Sequence, residues 1–392
     1  MAVSRRRGDA TARLQHVDSL AAASACPELL GAVRDPSIHV ARAALRRLAD
    51  LGCHDEARVL AESLLEIDIG LVRDCARVLA RLERRPGAEA ALVGLKSASA
   101  HRRQAAAMAL EELAWPPART TLELLVDDPA AAVRRAVVAA LGVLPAAPRT
   151  NALVLGRLAD RDPSVRAVAV GALARLSPNP SAALQTAVAD PDPRVRRALA
   201  SVTPRLSHDL VGGLLSDSDP DVRVETLWRL VDSSRVELVR KVEGCSRDDS
   251  WQVRRAACRA LGAAHSEPST LALVDRLLDP HATVREAALR ALREIHGVRA
   301  ARVVAERLTD GNAALRAALL YAVARIDERA AAGAIRAYAL ADDPAAGVRI
   351  AVCQVSDPVR SATILGKLAA DRDAGVRNAA LHALSPKAGR DG

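Results

Sequence analysis

Residues 160–176 read DRDPSVRAVAVGALARL, and the same phrase returns as DDPAAAVRRAVVAALGVL at 127–144 and as LDPHATVREAALRALREI at 278–295. Each copy contains a turn with Asp, a Val-Arg pair, small residues and then a Leu or Ile. Related phrases recur along the whole chain. Self-similarity at a nearly fixed spacing predicts a repeat architecture rather than a set of unrelated domains.

The arginine that follows the Val, or its equivalent, marks the register of the repeats. Successive copies lie 27 to 33 residues apart. A further copy at 35–48 has Ala41 in this position and Arg42 one place beyond. The sequence therefore contains twelve repeat units of about 31 residues. The register arginines are Arg73, Arg103, Arg134, Arg166, Arg196, Arg223, Arg254, Arg285, Arg316, Arg349 and Arg377.

The apolar residues of each phrase follow the spacing of one face of an α-helix. In the copy at 278–295 they are Val284, Ala287, Ala288, Ala291, Leu292 and Ile295. This phrase predicts the second helix of each unit. A shorter apolar segment upstream, such as 153–158 or 271–278, predicts the first helix of the same hairpin.

An Asp precedes many of the second helices, often with Pro after it. We expect the carboxylate to cap exposed backbone N–H groups and the Pro to occupy the first helical turn, where no N–H partner is lost. The residues predicted to cap are Asp35, Asp128, Asp162, Asp192, Asp219, Asp279 and Asp343.

This pattern resembles HEAT repeats, specifically the short HEAT-like units also found in phycobilisome lyases. The resemblance covers roughly residues 14–385. It implies an all-α solenoid, or superhelix, in which the second helices line a concave surface. It also implies that Asp and Arg side chains of neighbouring units form a polar ladder along the stack. The arginines that the resemblance places in this ladder are Arg134, Arg166, Arg196, Arg223, Arg254, Arg285, Arg316, Arg349 and Arg377.

The composition favours the same fold class. Half of the residues are hydrophobic, yet only five are aromatic and none is Phe, so the core consists of Ala, Leu and Val. Small side chains let helices approach closely. The net charge of +9 suggests an anionic partner, although ladder arginines account for part of it. Because every long uncharged stretch is too short for a membrane span, we expect no membrane insertion.

We divide the chain into a basic, disordered N-terminus at 1–13, a repeat solenoid at 14–385 and a polar tail at 386–392. Within the solenoid we predict a hinge at 201–216. The repeat is shortest there, and the segment contains Pro204 and the pair Gly212 and Gly213, which are poor helix formers. An ordinary shortened turn is the alternative.

The six cysteines lie far apart and contain no Cys-x-x-Cys pair. We interpret them as reduced thiols of a cytoplasmic protein. The compact run at 53–56, Cys-His-Asp-Glu, offers potential metal ligands, but consecutive residues do not all point at one ion. We interpret this run as a turn between helices and expect neither a metal nor a small-molecule cofactor.

Known enzymes with HEAT-like folds each require particular residues, and the sequence lacks a full set for any of them. No His is followed directly by Glu, which excludes a di-iron hydroxylase. An alkylpurine DNA glycosylase needs aromatic residues beside a carboxylate, and here Trp228 and Trp251 have acids nearby in sequence. Those acids are Asp219, Glu225, Asp248 and Asp249. Because they do not match the family's catalytic positions, glycosylase activity is a minor alternative, as is bilin lyase activity.

The positions that follow the Val by two and by six residues are expected to be exposed on the concave surface. They contain an arginine cluster bordered by aromatic residues. We predict a non-enzymatic scaffold that binds an extended and acidic protein segment there. Nucleic acid is the alternative partner, and a solvated Arg-rich surface with no dedicated ligand is a further alternative. The candidate binding residues are Arg135, Arg197, Trp228, Trp251, Arg255, Arg259, Arg290 and Tyr321.

Overall fold

The computed structural model describes residues 2–230, 238–264, 267–294, 297–309 and 311–385. Within these ranges every regular element is a helix and no strand occurs. The chain separates into two compact bodies, an N-terminal body, Met1–Arg205, and a C-terminal body, Leu206–Gly392. The prediction of an all-α fold is confirmed.

The N-terminal body contains helix α1 followed by helical hairpins. Its last hairpin has the 3₁₀ turn Gln185–Ala189 in place of a first helix. The helices are α1 (Ala2–Ala22), α2 (Cys26–Ala32), α3 (Ile38–Leu51), α4 (Ala57–Ser63), α5 (Val72–Leu82), α6 (Arg84–Gly94), α7 (Ala100–Leu113), α8 (Arg119–Glu123), α9 (Ala131–Leu141), α10 (Pro148–Gly156), α11 (Pro163–Leu176) and α12 (Pro193–Ser201).

The C-terminal body continues the same alternation of first and second helices. The helices are α13 (His208–Leu214), α14 (Pro220–Leu230), α15 (Val239–Cys245), α16 (Trp251–Ala264), α17 (Glu267–Asp275), α18 (Ala282–Glu294), α19 (Gly297–Glu306), α20 (Ala313–Ile326), α21 (Glu328–Ala337), α22 (Ala346–Val355), α23 (Ala362–Leu368) and α24 (Ala374–Leu384). Each of the twelve phrases found in the sequence forms a second helix, so the repeat count is confirmed.

Helix α1 includes residues 2–13, which we expected to be disordered. Ala and Arg are strong helix formers, and Val17 is buried where α1 packs on α2 and α3. Packing at Val17 explains the C-terminal part of α1, and the disorder of the basic segment at 1–13 stays a prediction. The tail at 386–392 lies outside the described residues.

Neighbouring second helices pack on one another within each body through Ala, Leu and Val side chains. Two glycines lie at close contacts between neighbouring second helices. A Cβ atom at Gly142 would lie 2.7 Å from Cβ of Ala172, and one at Gly262 would lie 2.9 Å from Cβ of Ala291. Small residues thus set the spacing of the second helices, as the aromatic-poor composition predicts.

Within the described residues, seven second helices have an arginine near their start that connects one repeat unit to the next. Arg134 is buried and donates from Nε and Nη2 to both carboxylate oxygens of Asp160 at 2.8 Å. Its Nη1 donates to the backbone oxygens of Asp128 and Pro129 in its own turn. We call each such Arg–Asp contact a ladder pair. The other ladder pairs are Arg103–Asp128, Arg166–Asp190, Arg223–Asp248, Arg254–Asp279, Arg316–Asp343 and Arg349–Asp371.

Six of the nine arginines that the resemblance places in the ladder form such a pair in the described residues, and Arg103 is an additional member. For Arg196, Arg285 and Arg377 the structure describes bonds to the backbone of their own turns. Arg73 occupies the register position but pairs with Glu111 and Glu112 of α7 instead. The turn of the next unit has Ser97 where other units have the paired Asp. Without that carboxylate, the guanidinium turns to the nearest acids.

The predicted capping residues fall into two groups. Asp162 and Asp192 are true N-caps, since their carboxylates accept from the backbone N–H of Ser164 and Arg194. The Asp219 carboxylate likewise accepts from the Asp221 N–H. The remaining four lie two residues before the cap position and hold the turn, so their prediction as helix caps is wrong. Those four are Asp35, Asp128, Asp279 and Asp343.

The boundary between the two bodies lies inside the segment 201–216. In this segment α12 ends at Ser201, the 3₁₀ turn Thr203–Arg205 follows, and α13 begins at His208. The hinge stays a prediction. In the described part of the chain, no helix is long and apolar enough to span a bilayer.

The ladder pair of Arg134 predicts a large loss of stability on truncation. We expect Arg134→Ala to cost about 3–5 kcal/mol, because it leaves the buried Asp160 carboxylate without its partner. The adjacent exposed arginine provides a matched control, and Arg135→Ala should change stability by about 0.5 kcal/mol or less. Urea unfolding followed by circular dichroism measures both. Equal midpoints for the two variants would contradict a structural role for the ladder.

The ladder also predicts the acid limit of stability. Burial of Asp160 and Asp279 opposes their ionisation, but the bonds from arginine and from backbone N–H groups outweigh it and lower the pKa of both carboxyls. The bond from Arg349 lowers the pKa of Asp371 to about 2. A lowered folded-state pKa contributes stability above the unfolded value of 3.8, and that contribution is lost as the pH falls.

Urea midpoints should therefore change little on account of these groups between pH 7 and about 5, and fall steeply between about pH 4 and 2. Asp371→Asn should lose part of this pH dependence, whereas Asp68→Asn, on an exposed turn, should keep all of it. A steep loss of stability already complete at pH 5 would be inconsistent with this origin.

Candidate functional site

A groove in the C-terminal body is formed by three successive second helices. Trp228 of α14, Arg255 and Arg259 of α16 and Arg290 of α18 line it, and its volume is about 300 Å³. These side chains come together because neighbouring second helices present the same register positions to the same face. Four of the eight residues predicted from the sequence therefore meet in one site.

The aromatic ring that lines the groove is in contact with one of the arginines. The guanidinium carbon of Arg259 lies 4.2 Å from the centroid of the Trp228 ring, a cation–π contact between adjacent second helices. Trp228 is half-buried and Arg259 is exposed. The contact holds the charged group at the surface while one ring face supports it, which presents a preorganised cation to a ligand.

Trp251 extends the same surface toward the start of the second helices. Its ring stacks on His281 with centroids 4.0 Å apart and planes 2° from parallel. The guanidinium carbon of Arg255 lies 5.9 Å from the Trp251 ring centroid. Arg255 thus lies between the groove and a stacked aromatic pair.

The charge balance of the groove is mixed. Among the described residues, Arg255, Arg259 and Arg290 are exposed and none of them forms an ion pair. Glu286 and Glu294, one helical turn to either side of Arg290, also line the groove. Three guanidinium groups outnumber two carboxylates, so the lining of the groove has a net positive charge.

The other predicted residues lie elsewhere. Tyr321 is exposed on α20, and its hydroxyl donates to Oε1 of Gln354 rather than lining the groove. Arg135 belongs to the N-terminal body, where it lines a separate groove with Arg73 and Arg175. Arg197 is exposed on α12. These three positions are on second helices as expected, but the structure does not bring them into the groove at Trp228.

Glu294 and Thr283 also line the groove and were missed in the sequence. The signal for Glu294 was available, because it follows Arg290 by four residues and so shares its helix face. Thr283 precedes the Val of its phrase, where the repeat pattern predicts a turn residue and not a residue on the exposed face of the second helix.

Three of the four acids considered for glycosylase chemistry have structural partners. Asp248 accepts both bonds of the ladder pair from Arg223, and Asp219 accepts from the N–H of Asp221. Glu225 pairs with Arg229 at 2.9 Å on the same helix. None of these three lines the groove at Trp228.

The family model described as HEAT repeats matches residues 118–203, 208–293 and 242–318, which together make up just over half of the chain. The chain belongs to the HEAT repeat family. No curated protein matches this HEAT chain.

Among solved structures, Kap95p bound to RanGDP has a TM-score of 0.53 at 14% identity, with 92% of this chain and 60% of that chain covered. Importin beta has a TM-score of 0.51 at 16% identity, with 91% and 60% covered. A complex of Kap95 with Nup1 has a TM-score of 0.51 at 14% identity, with 92% and 60% covered. The chain thus spans about 60% of these relatives, and the likeness shows the fold, a HEAT solenoid.

Two of the six cysteines are joined by a disulfide, Cys26–Cys53. The interpretation of all six as reduced thiols is therefore wrong for this pair. The wide spacing in the sequence does not indicate this disulfide, because the hairpin of α2 and α3 brings together cysteines that are 27 positions apart. Cys75, Cys245, Cys258 and Cys353 are free and buried.

The free thiols of this HEAT protein are predicted to be unreactive in the folded state. Burial raises the pKa of Cys245 to about 11 and that of Cys258 to about 12, and it also raises the pKa of Cys75 and Cys353. The thiolate is the reactive form. At pH 8, a chromogenic disulfide reagent should therefore titrate no thiol rapidly in the native oxidised protein and four in urea. Rapid reaction of four thiols without denaturant would contradict the burial.

Proposed function

We propose that this HEAT protein is a non-enzymatic scaffold that binds an extended, acidic segment of a protein partner along the second helices of its C-terminal body. The groove at Trp228 carries the proposal. It combines exposed guanidinium groups without ion partners and a rigid aromatic ring, the residue types that dominate protein interfaces.

The chemistry of the groove suits a carboxylate-bearing segment. Arginine pairs bidentately with carboxylates, and Arg255, Arg259 and Arg290 lie on two adjacent helices so that successive acids of an extended chain would meet successive guanidinium groups. Trp228 offers apolar contact area between these charges. Repeat stacks of this kind commonly bind along extended surfaces, and Kap95p and importin beta share the fold.

Nucleic acid is the second candidate, favoured by the same unpaired arginines and by the net charge of +9. Binding to phosphates would release counterions and weaken steeply with salt. A phosphate backbone has a negative charge on every nucleotide, whereas a protein segment can place a neutral or basic residue opposite Glu286 and Glu294, which is why we favour a protein segment over nucleic acid.

The proposal includes a repeat subtype, a location and the absence of catalysis. The short repeat length supports the phycobilisome-lyase type of HEAT repeat, a likeness that concerns the repeat and not the activity. The four free thiols support a cytoplasmic location, although a disulfide favours an oxidising compartment. The structural partners of Asp219, Glu225 and Asp248 support a non-enzymatic role.

The first test is affinity capture from the native lysate, with one half treated with nuclease, followed by mass spectrometry. We expect a stoichiometric protein that survives nuclease treatment. Its affinity for the purified protein should then fall by about 30-fold or more in Trp228→Ala, the loss of roughly 2 kcal/mol typical of an interface hot spot. Arg259→Ala should weaken binding as well.

Arg302→Ala is the matched control. Arg302 is an exposed arginine on α19, the first helix of its repeat unit, and does not line the groove. It should bind like wild type at moderate salt. Bound material that disappears with nuclease would favour nucleic acid. Unchanged affinity in both Trp228→Ala and Arg259→Ala would show that the groove is not the binding site.

A further inference from the structure

Three potential metal ligands from separate parts of the sequence meet in the first hairpin of the N-terminal body. Cys26 begins α2, Cys53 follows α3, and Glu56 immediately precedes α4. The two Sγ atoms and a Glu56 carboxylate oxygen all lie within 4.8 Å of one another. The hairpin thus gathers two sulfur ligands and one oxygen ligand in one place.

The local backbone explains why these groups converge. Gly52 ends α3 in the left-handed region at φ 68°, which reverses the chain so that Cys53 turns back toward α2. The side chain of His54 points away from the cluster, because its Nδ1 bonds to the backbone oxygen of Leu82 at 2.8 Å. The run at 53–56 therefore contributes two ligands rather than four, and Cys26 supplies the third.

Cys26 makes a metal site possible that the run at 53–56 does not form by itself. Consecutive residues alone do not surround an ion, but Cys26 approaches from the opposite helix of the hairpin. Cys53 is buried, whereas Cys26 and Glu56 are half-buried. An ion can therefore enter from the Cys26 side, and a water can take the remaining coordination position.

We propose that Cys26, Cys53 and Glu56 bind a Zn²⁺ ion when the Cys26–Cys53 disulfide is reduced, so that the disulfide and the zinc-bound dithiolate are alternative states of one site. Zinc accepts thiolate and carboxylate ligands in tetrahedral geometry, and three protein ligands with one water is an established arrangement. The soft sulfur pair favours zinc over magnesium or calcium, which prefer oxygen ligands.

The two states interconvert by balanced chemistry. A trialkylphosphine and water reduce the disulfide: the S–S bond breaks, the phosphine becomes a phosphine oxide, and each sulfur gains one proton. Zinc then displaces both thiol protons as it binds, and the Glu56 carboxylate is the third ligand. Two protons leave for each zinc bound.

Either state closes the same hairpin. A disulfide or a shared metal each ties the start of α2 to the end of α3 there. The ion would thus replace the covalent link when the thiols are reduced.

The test uses the full chain, reduced with a trialkylphosphine, freed of air and titrated with Zn²⁺ against a chromogenic chelator. We expect one zinc per reduced chain and none in the oxidised chain. Co²⁺ in place of Zn²⁺ should show sulfur-to-metal charge-transfer absorption. Equal zinc binding by oxidised and reduced protein, or no zinc retained by the reduced protein, would overturn the proposal.

Glu56→Gln tests the third ligand without touching the sulfurs. It should weaken zinc binding by at least the roughly 10- to 100-fold that loss of an outer-shell partner costs. Glu62→Gln, an exposed position on the same helix α4, is the matched control and should bind zinc like wild type. Wild-type affinity in Glu56→Gln would overturn the assignment of Glu56 as a ligand.

Cys53→Ser should abolish zinc binding, and circular dichroism establishes whether this variant folds. Where it does not fold, Glu56→Gln and the comparison of the two oxidation states decide the outcome. The buried free cysteines do not confuse the count, because burial keeps Cys245 and Cys258 protonated.

Discussion

A buried guanidinium–carboxylate contact, repeated between successive hairpins, holds the repeat units of this protein in register. A ladder arginine such as Arg134 donates to the backbone of its own turn and to the Asp in the turn of the next unit, here Asp160. A buried ion pair is stable only when both partners remain and their hydrogen bonds are satisfied. The contact therefore restricts where the next turn can lie, and with it the position of the next second helix.

The same contact divides the arginines into structural and available ones. In three phrases the register arginine is followed directly by a second arginine: Arg134 by Arg135, Arg196 by Arg197 and Arg254 by Arg255. Successive residues on a helix point about 100° apart. The first of each pair donates to the backbone of its own turn and the second is exposed to solvent, so a large excess of arginine becomes a smaller set of exposed cations. The groove at Trp228 draws on that set.

Local patterns made much of the fold predictable. The helical period, the turn residues and the phrase spacing lie within about 31 residues, and all twelve second helices form where they predict. The prediction of capping failed at Asp128 and Asp279, because a carboxylate two residues before the cap holds its turn and also receives an arginine from the neighbouring unit. That distinction depends on a contact between units, which sequence spacing alone does not separate from a cap.

The sequence by itself determined the fold class, the number of repeats and the helix face that Trp228, Arg259 and Arg290 share, because helical periodicity is a local property of the chain. Only the tertiary structure decided which of the exposed residues meet. It placed Arg259 over Trp228, left Tyr321 with Gln354, and joined Cys26 to Cys53. Those contacts depend on the angle and spacing of packed helices. Side-chain packing between units sets this angle and spacing, whereas the helical periodicity of a single unit does not.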